Sequence, residues 1–161
     1  MPDILRNPTP IAKIYETLSA VADGRVELCA AESKAIVTSS ARTKRYTVMI
    51  SERLYTSNDN ATYWQHYAGY PIIAVLIEQG RISLPPDSRP LLEHFKNINW
   101  KRLNTDNKNH YDQAVSQFLF STGHADEIEK LVRNIYEQAN GLPFAVKGNR
   151  KPIIKVPEEK K

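Results

Sequence analysis

A chain of 161 residues is long enough to bury roughly 70% of the surface its unfolded form would expose, and its single cysteine, Cys29, excludes a disulfide framework. Its 22 Lys and Arg exceed its 18 Asp and Glu by a formal charge of +4, yet residues 1–140 carry sixteen of each sign and residues 141–161 carry six against two. The surplus belongs to the C-terminal stretch, which argues against a body built to package nucleic acid.

Residues 1–8 lack the basic region and apolar core of a secretory signal. The longest apolar run, residues 71–77, falls far short of the roughly 18 residues a membrane span requires. With a lone thiol in an apolar-flanked stretch, the expectation is a cytoplasmic protein that makes no membrane contact.

The first element is an amphipathic helix over residues 10–22, with Ile11, Ile14, Tyr15, Leu18, Val21 and Ala22 at helical spacing. Thr9 is placed as its N-cap, Pro10 suits the first helical position, and Gly24 offers a left-handed stop. Short β-prone runs follow at residues 26–31, 35–38, 45–50 and 54–57, separated by breaks of hairpin length. They read as a four-stranded antiparallel meander, with Tyr46, Val48 and Ile50 on one face and Thr47 and Met49 on the other.

A polar break at residues 57–60 leads into a helix over residues 61–68, which Gly69 interrupts. Pro71 then restarts a helix that runs to Gly80, apolar enough to be buried on nearly every side. Leu91, Leu92 and Phe95 give a short helix after Pro90, Trp100 and Leu103 another turn, and residues 104–109 a polar loop. Tyr111, Ala114, Val115, Phe118 and Leu119 define one further helix. Ile128, Leu131, Val132, Ile135, Tyr136 and Ala139 define the last, ended by Asn140-Gly141.

The fold class is therefore α+β: an N-terminal helix, a four-stranded antiparallel meander, and a helical C-terminal half packing on one face of the sheet. Residues 1–140 form one domain, with the sheet and first helices in 1–80 and the helical part in 81–140. Residues 141–161 form a basic tail containing Pro143, Pro152 and Pro157, in which residues 152–157 can add as an extended strand to an edge of this molecule or of a partner. In topology the order helix, four strands, helix is similar to the repeat unit of the TATA-binding-protein-like fold, a likeness that implies no function.

No glycine-rich phosphate loop, nucleophile elbow or paired-histidine metal motif occurs. The histidines, His66, His94, His110 and His124, are too scattered for a local ligand pair, and Glu127 and Glu129 read as the solvated first turn of a helix. Catalytic residues, a metal and a cofactor are not expected.

Two constellations remain. Arg42, Lys44, Arg45, Tyr46, Arg53 and Tyr55 gather cations and rings on one hairpin, the combination that attracts phosphates and stacks bases, and Lys147, Arg150 and Lys151 extend it into the tail. Asn58, Asp59, Asn60, Tyr63, Trp64 and His66 could line a pocket for a planar ligand, although aromatic residues at helical spacing more often form core. The leading expectation is a non-catalytic binding or regulatory protein with nucleic acid as ligand. The alternatives are a protein-interaction module docking through residues 141–161, and an enzyme or small-ligand binder with a pocket near Trp64 and His66.

Overall fold

The computed structural model describes residues 6–156; residues 1–5 and 157–161, Pro157 among them, lie outside the described residues. The fold begins, as the apolar spacing requires, with helix α1 (Ala12–Ala22), which buries Ile14, Tyr15 and Leu18. Thr9 does not cap it. The N-cap position falls at Ile11, without a side-chain bond, because Thr9 is buried and occupied elsewhere. Its Oγ1 donates to the Ala68 carbonyl at 2.8 Å and its backbone N–H to Asn140 Oδ1 at 3.0 Å.

The meander forms in the expected order: β1 (Val26–Cys29), β2 (Lys34–Thr38), β3 (Lys44–Ser51) and β4 (Leu54–Ser57), each antiparallel to the next. The end of the first expected strand is instead a short 3-10 turn, Ala30–Glu32. Cross-strand partners Val26 and Val37, Ala35 and Val48, and Ile50 and Tyr55 share one face, which the helices cover. On the other face Glu27, Arg45 and Ser51 are exposed, most of the remaining positions are half-buried, and Thr47 is buried.

Helix α2 (Asn60–Gln65) ends before residue 68 because His66 takes a left-handed conformation, φ 55. Helix α3 (Tyr70–Glu78) follows, with every residue from Pro71 to Ile77 buried against α1 and the inner face of the sheet. Then come α4 (Arg89–Leu92), α5 (Trp100–Asp106), α6 (Tyr111–Thr122) and α7 (Ala125–Gly141). The polar loop expected from residue 104 starts only after Asp106, since Asn99 caps α5 by accepting the Arg102 N–H at 3.0 Å and the helix propagates through polar residues.

The basic C-terminal stretch enters the sheet. Strand β5 (Ala145–Gly148) pairs parallel with β4, and β6 (Ile154–Lys155) pairs antiparallel with the first residues of β3. Between β4 and β6 the β3 backbone at Thr47 would be left unpaired, and two asparagines fill the gap. Asn58 Oδ1 accepts the Thr47 N–H at 2.9 Å, and Asn149 Nδ2 donates to the Thr47 carbonyl at 3.2 Å. Asn58 Nδ2 also donates to the Lys151 carbonyl at 3.0 Å, which ties this stretch to the sheet. No helix among the described residues is long and apolar enough to cross a membrane.

Candidate functional site

The hairpin constellation is divided by the pleat of the sheet. Arg45 and Lys147 are exposed on the outer face, Arg53 at the β3–β4 turn, and Arg150 and Lys151 beyond β5. Arg42 is exposed in the β2–β3 turn, with Nη2 3.9 Å from Asp23 Oδ2. The two rings face the other way. Tyr55 is fully buried, its hydroxyl donating to Gln79 Oε1 at 2.8 Å and accepting from Arg81 Nη1 at 2.6 Å. Tyr46 lies on the inner face with Lys44, so the expected platform of interleaved cations and rings is not assembled.

The second constellation is also redistributed. Asn58 and Asp59 are buried and consumed by the fold, Asn58 as the bridge to β3 and Asp59 as the cap of α2. Asn60 and His66 are exposed. Tyr63 and Trp64 meet edge to face, with centroids 4.6 Å apart, but Trp64 is 73% exposed. These rings stand outward and form neither core nor an enclosing wall, because the early stop at His66 leaves them on the outside of a six-residue helix.

A cavity of about 280 Å³ lies under the β2–β3 turn. Its wall draws Lys13 and Glu16 from α1, Ser39, Ser40 and Thr43 from the turn, Lys44 and Tyr46 from β3, and Tyr70 from the start of α3. Trp100, Lys101 and Asn104 come from α5, and Tyr111 from α6. The turn is fixed in place as its roof: Ser39 Oγ accepts the Lys44 N–H at 3.1 Å, and Ser40 Oγ accepts the Trp100 N–H at 3.0 Å. Tyr46 meets Tyr70 edge to face with centroids 6.3 Å apart, and Trp100 stacks on Tyr111 at 6.0 Å.

The polar atoms of this wall are incompletely paired. Among the described residues, four buried side-chain atoms lack a hydrogen-bond partner: Glu16 Oε2, Arg25 Nη2, Trp100 Nε1 and Asn104 Oδ1. Three of the four residues, Glu16, Trp100 and Asn104, lie in the wall of this cavity, with the unpaired atoms themselves enclosed. Lys13 Nζ approaches Glu16 Oε2 to 3.5 Å, an ion-pair distance without hydrogen-bond geometry. Trp100 is 1% exposed, so its indole N–H has little water to turn to.

Electrostatics marks the same place. Burial pushes the Glu16 carboxyl above its ordinary range, a shift that neighbouring Lys13 only partly opposes. Burial also raises the Tyr46 hydroxyl to about 12, and the Tyr70 and Tyr111 hydroxyls further, with the Glu16 charge acting in the same direction on all three. A carboxyl whose folded pKa is raised favours the fold in its neutral form. That contribution is complete below the ordinary glutamate value of about 4.3 and is lost as pH rises through the folded value. Glu16→Gln, permanently neutral, is therefore expected to be more stable than the parent at pH near 8, with the advantage shrinking towards pH about 4. Urea unfolding at the two pH values reads this directly.

Two other hollows differ in kind. A groove of about 580 Å³ includes Tyr55, Gln79 and Arg81, whose polar groups bond one another. A depression of about 330 Å³ between α1 and α7, with Asp126, Glu129, Lys130 and Arg133 at its edge, contains none of the unpaired atoms. The fold also brings His94 and His124 together, ring centroids 5.1 Å apart, which their sequence spacing conceals. Among the described residues, no group of three or more His, Cys, Asp or Glu could hold a metal ion.

Sequence reasoning named Lys44 and Tyr46 but missed Lys13, Glu16, Trp100, Lys101, Asn104 and Tyr111. Glu16 falls on the polar side of α1 and reads as solvated, and no local pattern joins it to α5 and α6. No curated protein and no solved structure matches the chain. One family matches residues 6–145, a span that contains every residue of the cavity wall. The chain belongs to that family, described as Uncharacterised conserved protein UCP014422.

Proposed function

We propose that this chain is a small-molecule-binding protein and that the cavity under the β2–β3 turn is its site. The observation carrying this reading is the hollow itself, which draws Lys13, Glu16, Lys44, Tyr46, Tyr70, Lys101, Asn104 and Tyr111 from five elements to one place. Aromatic walls with a few convergent polar groups are the composition of metabolite sites, and about 280 Å³ falls just below their usual range of roughly 300–1,000 Å³, room for a small compound. A cytoplasmic location, on the lone free thiol, belongs to the same proposal.

The test is a thermal-shift screen of small carboxylates, phosphate esters, amides and alcohols. A compound present at 100 times its Kd adds about 2.7 kcal/mol, which at this chain length raises Tm by roughly 5–10 °C. Asn104→Leu, which replaces an amide of the wall with an apolar side chain, is expected to keep the fold and to lose that shift. A shift of undiminished size in Asn104→Leu places the compound elsewhere.

Nucleic acid remains a second reading because Arg45, Lys147, Arg150 and Lys151 are all exposed. No ring stands among the strand residues of the outer face, so binding there would rest on phosphate contacts alone. It would weaken steeply with salt, and neutralising Lys147, Arg150 and Lys151 would flatten the slope by about 0.9 for each phosphate left without its cation. A docking role for the C-terminal stretch would have to release β6 from the chain's own β3.

A further inference from the structure

We infer that the cavity takes a small organic anion with a planar body, and that the anion enters together with a proton held by Glu16. The inference rests on the ligand-binding reading and adds the ligand's chemistry to it. Three elements contribute a cation to the wall, Lys13 from α1, Lys44 from β3 and Lys101 from α5, against the single carboxyl of Glu16. Among the described residues Lys13 pairs with Glu16, while neither Lys44 nor Lys101 has a carboxylate partner. Those two lysines flank the hydroxyl-bearing turn and give an anionic group its counter-charge.

The remaining wall sets the shape of the ligand. Tyr46, Tyr70 and Tyr111 line the hollow with aromatic side chains suited to a flat body. Asn104 adds an amide to the same wall, a group able to donate and to accept.

An anion in this space meets Glu16 at close quarters, and ionised Glu16 would repel it. Protonated, the same carboxyl becomes a hydrogen-bond donor to the anion. The charged groups that act on Glu16 are Lys13 on its own helix, Arg25 at the head of β1 and Asp59 at the head of α2. Tyr46, Tyr70 and Tyr111 face it from β3, α3 and α6, and all three hydroxyls hold their protons well above neutral pH. Burial already favours the neutral carboxyl, and an arriving negative charge favours it further.

The experiment is isothermal titration calorimetry of the full chain with hydroxybenzoate and with its neutral counterpart hydroxybenzamide, from about pH 5 to about pH 8 and in buffers of differing ionisation enthalpy. Hydroxybenzoate should bind at least about tenfold more tightly than the amide, a preference lost in Lys44→Ala/Lys101→Ala. Its Kd should rise with pH, approaching about tenfold per pH unit above the folded Glu16 value, with proton uptake visible in the buffer dependence. Glu16→Gln should flatten the profile. Equal binding of the two probes overturns the anion, and a flat profile or proton release in the parent overturns the proton. If neither probe binds while another compound gives the Asn104-dependent thermal shift, the inference fails and the ligand-binding reading stands. If nothing gives that shift and neither probe binds, both fall.

Discussion

Replacing Asp23 by alanine will lower the unfolding free energy by about 3–5 kcal/mol, the usual effect of stripping the partner from a buried charge. Asp23 closes α1, and its carboxylate and the Arg25 guanidinium are both almost wholly enclosed. Oδ2 accepts from Arg25 Nε at 2.9 Å, and Oδ1 accepts the Asn97 N–H at 2.8 Å. Arg25 Nη1 donates onward to the Thr38 carbonyl at 2.6 Å, at the end of the strand that leads into the cavity's roof. One carboxylate thus joins the end of α1, the start of β1, the end of β2 and the loop before α5.

At this chain length the expected loss is a fall in Tm of roughly 6–20 °C, read by calorimetry. The double variant Asp23→Leu/Arg25→Met removes both charges and should lose much less than Asp23→Ala alone, since the penalty lies in the stranded guanidinium. Equal losses in the two variants would show that the pair acts through packing and not through charge.

Gly69→Ala is expected to destabilise by about 2–4 kcal/mol, combining overpacking with a weakened helix cap. The backbone at Gly69, φ -69 and ψ 172, is open to any residue, so the effect is one of space. A Cβ there would overlap Asp59 Oδ2 and stand 3.0 Å from Thr62 Oγ1. Neither atom can withdraw. Asp59 Oδ2 accepts the Thr62 N–H at 3.0 Å, Oδ1 is held by the Ser57 hydroxyl, and Thr62 Oγ1 accepts the Gly69 N–H at 3.0 Å. The displaced junction is the one that sets α3 and Tyr70, so the substitution should also disturb the cavity. Denaturant unfolding gives the stability; a loss below about 0.5 kcal/mol would mean that the junction yields freely.

Much of this fold is legible because its elements carry their own signals. Tyr46, Val48 and Ile50 alternate with Thr47 and Met49 in the manner of a half-covered strand, and Pro71 to Ile77 is too apolar to lie anywhere but inside. Ala145–Gly148 carries no such signal. Its one large apolar residue is Val146, and it becomes a strand because Tyr55 and its neighbours in β4 offer an edge to pair with. The segment at Ile154–Lys155, whose pattern suited edge pairing, finds that edge at Lys44 and Arg45.

The site is less legible because no stretch of chain contains it. Lys44 and Tyr46 stood out as hairpin residues for a different reason. Glu16 looks like an ordinary solvated position, Asn104 like part of a loop, and Trp100 and Tyr111 like core. Only the arch of the β2–β3 turn over α1 and α5 turns these separate residues into one wall. The conspicuous Trp64 cluster misled for the converse reason: its residue types suit a pocket, but nothing folds over it.

The two tryptophans make the central claim directly measurable. In an amide and indole correlation spectrum of the isotope-labelled chain, a small molecule that gives the Asn104-dependent thermal shift should move the Trp100 indole N–H resonance, since Trp100 lies in the cavity wall, and leave the Trp64 resonance in place. Movement of the Trp64 resonance alone, or of neither, at a concentration that stabilises the protein would contradict a site under the β2–β3 turn.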